Sequence, residues 1–167
     1  MKSILKLFLG SLSILLIIGC QKLGTPDLTG YVVGKSDNSI LVVADEKQDF
    51  SSAGGVDEFY EAISFRGDIG EVKLGDHVKA WHTGEVAESY PGQAELAKVE
   101  VISPKEIDSA KLNTQEVLEK VIQLKEDRTV VIKSIEYQAE KEIWQVEVTS
   151  INSEEDRNSE VVEIEDD

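Results

Sequence analysis

The sequence predicts a mainly β fold: a small barrel or sandwich of five or six short strands, followed by a helix and β-hairpin unit. Three observations carry this. Between Thr29 and Ile102, runs rich in Val, Ile, Leu and aromatic residues recur at close spacing, separated by glycine-containing turns. Pro104 marks a change of character, and Val117, Leu118, Val121, Ile122 and Leu124 then lie on a single helical stripe. Beyond that stripe, two alternating runs face each other across Gln138-Ala139-Glu140-Lys141.

The elements follow in chain order. Lys2 and Lys6 form a short basic region, and Leu7 to Ile18 is almost wholly apolar. That run is too short to cross a bilayer core of about 30 Å, which takes about 20 helical residues. Its length and basic flank predict a signal peptide over residues 1–19. Ile17-Ile18-Gly19-Cys20 has the small residue and cysteine of a lipobox, so Cys20 is the expected lipid-attachment residue. A thiolate is the nucleophile suited to thioether formation. Cys20 is also the only cysteine of the 167 residues, so no internal disulfide can occupy it. One acyl chain holds a protein weakly, whereas two, palmitate-like in length, anchor it stably at about 0.8 kcal/mol per buried CH₂.

Residues 20–29 read as a lipidated polar tether with Gly24 and Pro26. The barrel is expected over 30–103. Tyr31-Val32-Val33 and Ile40-Leu41-Val42-Val43 flank turn formers, which predicts a hairpin. Asp45 to Asp57 is an irregular connection of the length that tends to carry function. Tyr60 to Phe65 reads as a strand, and Arg66-Gly67-Asp68 as part of the turn after it. His77 to His82 reads as another strand, Thr83-Gly84 as a turn, and Glu85 to Tyr90 as a further strand. Pro91-Gly92 is a turn signal, and Ala94 to Ile102 the last barrel strand.

Residues 111–151 are the helix–hairpin unit. Asn113 with Glu116 three residues on forms a capping box, and Leu112 can staple onto Val117. Trp144, Val146 and Val148 share the apolar face of the hairpin. Residues 152–167 read as a solvated acidic tail, with Val161 to Ile164 able to add an edge strand; residues 153–167 carry eight acids and one arginine.

Gly30-Tyr31-Val32-Val33, Ile40-Leu41-Val42-Val43, Asp49-Phe50-Ser51, Tyr60-Glu61-Ala62-Ile63, Leu74-Gly75-Asp76-His77-Val78-Lys79-Ala80-Trp81 and Glu88-Ser89-Tyr90-Pro91-Gly92-Gln93-Ala94 together resemble the YobA-like family. Those are small exported proteins of Bacillus-type bacteria with no assigned function. The resemblance covers about residues 28–103. It implies an OB-like barrel without established enzymatic activity, and it brings no catalytic residues.

Charge narrows the partners. The chain holds 33 acids against 17 bases, a formal net charge of −16. Such a surface repels phosphate backbones, which sets nucleic acid aside, and it repels anionic headgroups, so attraction to a membrane must come from the lipid on Cys20. No cofactor is expected, and no metal site. His77 and His82 are five apart on one strand and point to opposite faces unless a bulge intervenes. No serine lies in a Gly-x-Ser-x-Gly elbow, and no phosphate loop is present, so an enzyme is not expected.

The turn Tyr90-Pro91-Gly92-Gln93 has two readings. Barrel-corner chemistry explains every residue and is favoured. The functional reading is a ligand or partner groove lined by Trp81 and Tyr90, with Gln93 hydrogen-bonding. The chain is therefore expected to be a non-enzymatic module on the outer face of the cell membrane, binding a protein, wall polymer or small ligand. Its rivals are a structural or inhibitory lipoprotein that docks a membrane partner through the helix–hairpin, and a carboxylate-dependent hydrolase.

Overall fold

A computed structural model describes residues 24–125, 129–151 and 159–167. The signal segment 1–19, Cys20 and residues 152–158 of the acidic stretch lie outside the described residues.

Five strands close into a barrel in the order β1-β2-β3-β5-β4. They are β1 (Leu28–Ser36), β2 (Ser39–Ala44), β3 (Ala62–Arg66), β4 (His77–Ala87) and β5 (Gly92–Ile102). β1 pairs with β2 on one side and, through Leu28 to Tyr31, with β4 on the other, and that double pairing seals the barrel. β3 and β5 run parallel, with Ile63 opposite Gly92 and Arg66 opposite Glu95. This is the Greek-key barrel of the OB class. Gly30 is needed at the β1–β2 crossing, since a Cβ there would lie 2.0 Å from the Val43 carbonyl oxygen.

Val32, Val42, Phe65, Val78 and Ala80 fill the barrel and are inaccessible to water. Ile69 and Val72, from the β3–β4 connection, plug one end of that core. Alternation along β1, β2 and β3 sends Val33, Val43 and Ala62 to the opposite, outer face, where they are also buried.

The outer face is covered by a second layer. The α-helix α1 (Thr114–Leu124) packs with an antiparallel sheet of β6 (Val130–Gln138), β7 (Ile143–Ser150) and β8 (Glu160–Glu165). The helix starts as predicted. The Asn113 side chain accepts from the Gln115 and Glu116 amides, and Glu116 accepts from the Asn113 amide at 2.9 Å. Val117, Leu118 and Val121 meet Trp144, Val146 and Val148 in one core with Val33, Val43, Tyr60 and Ala62 of the barrel. Burying each such side chain contributes about 1.5–3 kcal/mol. Gly75 (φ 82°) lets the barrel touch α1, because a Cβ there would sit 2.5 Å from the Gln115 carbonyl oxygen.

Three expectations are corrected. Thr83-Gly84 is not a hairpin turn: β4 runs through it, with irregular register between Thr83 and Ala87 and Gly84 at φ 71°, so one bent strand replaces two and the barrel has five strands. The stretch 160–165 takes the edge-strand alternative over the solvated tail: it is strand β8, whose Val162 and Ile164 pair opposite Val146 and Trp144. Residues 24–29 are not free tether either. Asp27 donates its amide to the Ala80 carbonyl and accepts from the His82 amide, and Leu28 already belongs to β1.

Candidate functional site

The face formed by β2, β3, the end of β4 and the start of β5 holds an open groove of about 820 Å³. Ser64, Arg66, Gln93 and Glu95 alternate along the parallel β3–β5 seam and line its floor, with Ser39 at one side. Glu85 to Glu88, at the end of β4 and the turn after it, form the opposite wall. The lining is mostly polar, with Arg66 as its cation among Glu85, Glu88 and Glu95.

Three aromatic rings, two from the β2–β3 connection and one from the β4–β5 turn, form a row. Phe50 and Phe59, from the β2–β3 connection, meet edge to face with centroids 5.6 Å apart, and Phe59 meets Tyr90 at 5.5 Å. Phe50 and Tyr90 are 42% and 48% exposed, so the row is open to solvent. Tyr90 lies between the groove residues Glu88 and Gln93, and its hydroxyl donates to the Tyr60 carbonyl at 2.7 Å, which ties the ring to the segment just before β3. The Tyr90–Pro91 peptide bond is cis.

The predicted trio does not come together. Gln93 is in the groove and Tyr90 is in the aromatic row, but Trp81 is elsewhere. Trp81 pairs with Lys98, whereas Gln93 pairs with Ala87. Five residues of β5 separate the two positions, about 16 Å of strand. Trp81 is only 7% exposed, its indole N–H donates to the Gly24 carbonyl at 3.0 Å, and the Lys98 ammonium lies 5.1 Å from its ring centroid. It serves the chain entering the barrel, not a groove. Phe50 and Phe59 were not anticipated, because their sequence neighbourhood is an irregular loop and only the fold brings them to Tyr90.

His77 and His82 engage different carboxylates, Asp45 at 2.7 Å and Asp27 at 3.8 Å. Among the described residues no three His, Cys, Asp or Glu side chains cluster as a metal site. Behind the groove, Tyr60 is pushed up to about 12, chiefly by burial and then by its hydrogen bond to Glu58. Glu58 is held below the usual carboxylate range, foremost by the Lys133 ammonium 2.9 Å away. This ion pair ties the barrel to β6.

At the far end of the chain, Asp166 is 4% exposed. Burial alone would raise its pKa. It is outweighed by hydrogen bonds from the Leu112 and Lys111 amides, the Trp144 indole and the Tyr137 hydroxyl, which hold it low. Asp166 is a clamp, and it joins the helix start to β7 and β8.

Residues 29–103 match a family described as protein of unknown function (DUF3221). A DUF3221 domain therefore spans β1 to β5, and its limits coincide with the barrel, leaving α1 and β6 to β8 outside. No curated protein and no solved structure matches the chain.

Proposed function

We propose that this chain is a membrane-tethered, non-enzymatic binding module of the YobA-like exported type, moored through Cys20, with its ligand site in the groove of the DUF3221 barrel. The observation that carries the reading is the polar groove over Ser64, Arg66 and Gln93, next in the chain to Tyr90, whose exposed ring meets half-buried Phe59. Concave sites with a few convergent polar groups and aromatic surface are where small ligands and polymer ends bind. The strand 2–3 face and the neighbouring loops are also the surface that OB-type barrels use. The acidic rim favours a neutral or cationic ligand, such as a wall-polymer fragment with free amines, over an anionic one.

The docking rival, through the helix–hairpin, would rest on Leu124 and Val161, the exposed aliphatic side chains of α1 and β8, and not on Trp144. Trp144 is fully buried in the shared core and offers no apolar surface to a partner.

The test is a titration of the ¹⁵N-labelled protein with soluble peptidoglycan fragments, read by amide shifts. Shifts centred on Ser64 and Gln93, reduced in Arg66→Ala and Gln93→Ala, are expected. Saturable binding that leaves those amides unmoved would overturn the site. Recovery from membranes of a processed chain whose Cys20 carries no lipid would overturn the mooring.

A further inference from the structure

The barrel is closed unevenly. β5 continues to Ile102, but its parallel neighbour β3 stops at Arg66, opposite Glu95. From Ala97 to Ile102, β5 is paired on the β4 side only, and among the described residues no backbone hydrogen bond reaches its other edge. Every second residue of a strand directs its N–H and C=O to such an edge. The open stretch is about 20 Å long.

A groove of about 670 Å³ occupies the vacant strand position. Val99 and Val101 of β5 form one side, and Ile69, Val72 and Lys73 of the β3–β4 connection form the other. Val101 shows that the position is unfilled. It sits opposite Val78 on the inward face of the barrel, yet Val101 is 47% exposed while Val78 is 0% exposed. Residues paired across two strands share a face, so their difference in exposure arises from the missing third strand.

We propose that this groove accepts an extended peptide of a partner protein, which adds as a strand alongside β5 between Ala97 and Ile102. Strand addition to an exposed sheet edge takes its affinity from main-chain hydrogen bonds and its specificity from alternate side-chain pockets. Here the pocket is apolar, so the peptide presents a branched aliphatic residue to Val101. Residues 68–73 line the groove across from β5, together with Pro104 and Asn113. A second copy of this chain is disfavoured, because each carries a net charge of −16 and the two repel. Asp68, Glu71 and Asp76 outnumber Lys73 and Lys98 in the lining, on a chain of net charge −16, which favours a basic residue flanking the aliphatic one. The site is separate from the groove over Ser64 and Gln93 and does not depend on it.

The test is selection of a random seven-residue peptide display library on the full chain, followed by titration of the strongest synthetic peptide. Amide shifts confined to β5 residues 97–102 and the facing 68–73 segment are expected. Val101→Lys should weaken binding roughly tenfold or more by placing a charge in the pocket. An N-methylated copy of the peptide, blocked at alternate amides, should lose binding to the unaltered protein. That measurement does not depend on how the variant folds. No enriched peptide, binding that survives N-methylation, or shifts at Ser64 and Gln93 instead would each overturn the proposal.

Discussion

The two apolar cores of this molecule are built in different ways. The barrel interior is filled from one closed sheet, with Val32, Val42, Phe65, Val78 and Ala80 pointing inward and Ile69 and Val72 stopping one end. The second core draws on three sources: the outer face of β1 to β3, the helix α1, and the β6–β7–β8 sheet. The sheet β1–β2–β3 is the wall they share, buried on both sides at Val32–Val33, Val42–Val43 and Ala62–Ile63. The DUF3221 match ends where the barrel ends, yet Val33, Val43, Tyr60 and Ala62 on the barrel's outer wall are buried as its interior is. The unit of sequence similarity is thus smaller than the unit of stability.

The strongest way to break that comparison is truncation after Ser103. It would bare Val33, Val43, Tyr60 and Ala62 at once, a contiguous apolar face of the kind that drives aggregation. The fragment is expected to be largely insoluble. A soluble, monomeric fragment with cooperative unfolding would show that the barrel stands alone. Next in size, Trp144→Ala should cost about 3–5 kcal/mol, as should Phe65→Ala in the other core. Both variants should unfold in urea in one transition, because the shared wall couples the cores. Two separated transitions in W144A would mean that they are independent.

The Asp166 clamp sharpens the comparison through pH. Its pKa is lowered in the fold, so its contribution is fully present above the ordinary carboxylate value of about 4. That contribution is lost as pH falls through the lower folded value. Asp166→Asn should destabilise the protein at neutral pH and flatten the decline in stability below about pH 4. An unchanged acid limb in urea titrations would show that other carboxylates dominate there. Replacing the helix cap, Asn113→Ala, should cost about 1 kcal/mol by the same urea measurement. Trp81→Phe keeps an aromatic ring, removes one hydrogen bond worth about 0.5–1.5 kcal/mol and shrinks a nearly buried side chain, which adds to the loss. Hydrogen exchange should rise at Asp27 and Leu28 and stay unchanged around Trp144.

Much of the barrel was legible because β-rich runs and turn residues alternate in step, as at Ile40 to Val43 and Ile63 to Phe65. Thr83-Gly84 misled, since glycine beside a polar residue marks a turn and an in-strand bend equally well. The acidic composition after Ser150 favours a solvated tail, and only Val161 to Ile164 signals β8. Four of its six residues are Glu or exposed Val, and only Val162 and Ile164 turn inward. Asp166 was hidden for another reason: an acid is buried only when donors meet it, and here they come from Leu112, Tyr137 and Trp144, far away in the chain. For the site, the Tyr90–Gln93 turn stood out locally, but its aromatic neighbours Phe50 and Phe59 are tertiary contacts. Trp81 belonged to another place because strand register, invisible in composition, set it about 16 Å from Gln93.

The bond between the Trp81 indole and the Gly24 carbonyl also measures a leash. If Cys20 carries fatty chains as proposed, only residues 21–23 separate the lipid from a fixed point on the barrel, a reach of at most about 14 Å even when fully drawn out. An anionic body held that close to a bilayer sits near the Debye length of about 8 Å in physiological salt and feels the surface charge of the lipids. Lipid composition would then tilt the barrel, with the Trp81 end turned down and the Gln93 end lifted outward.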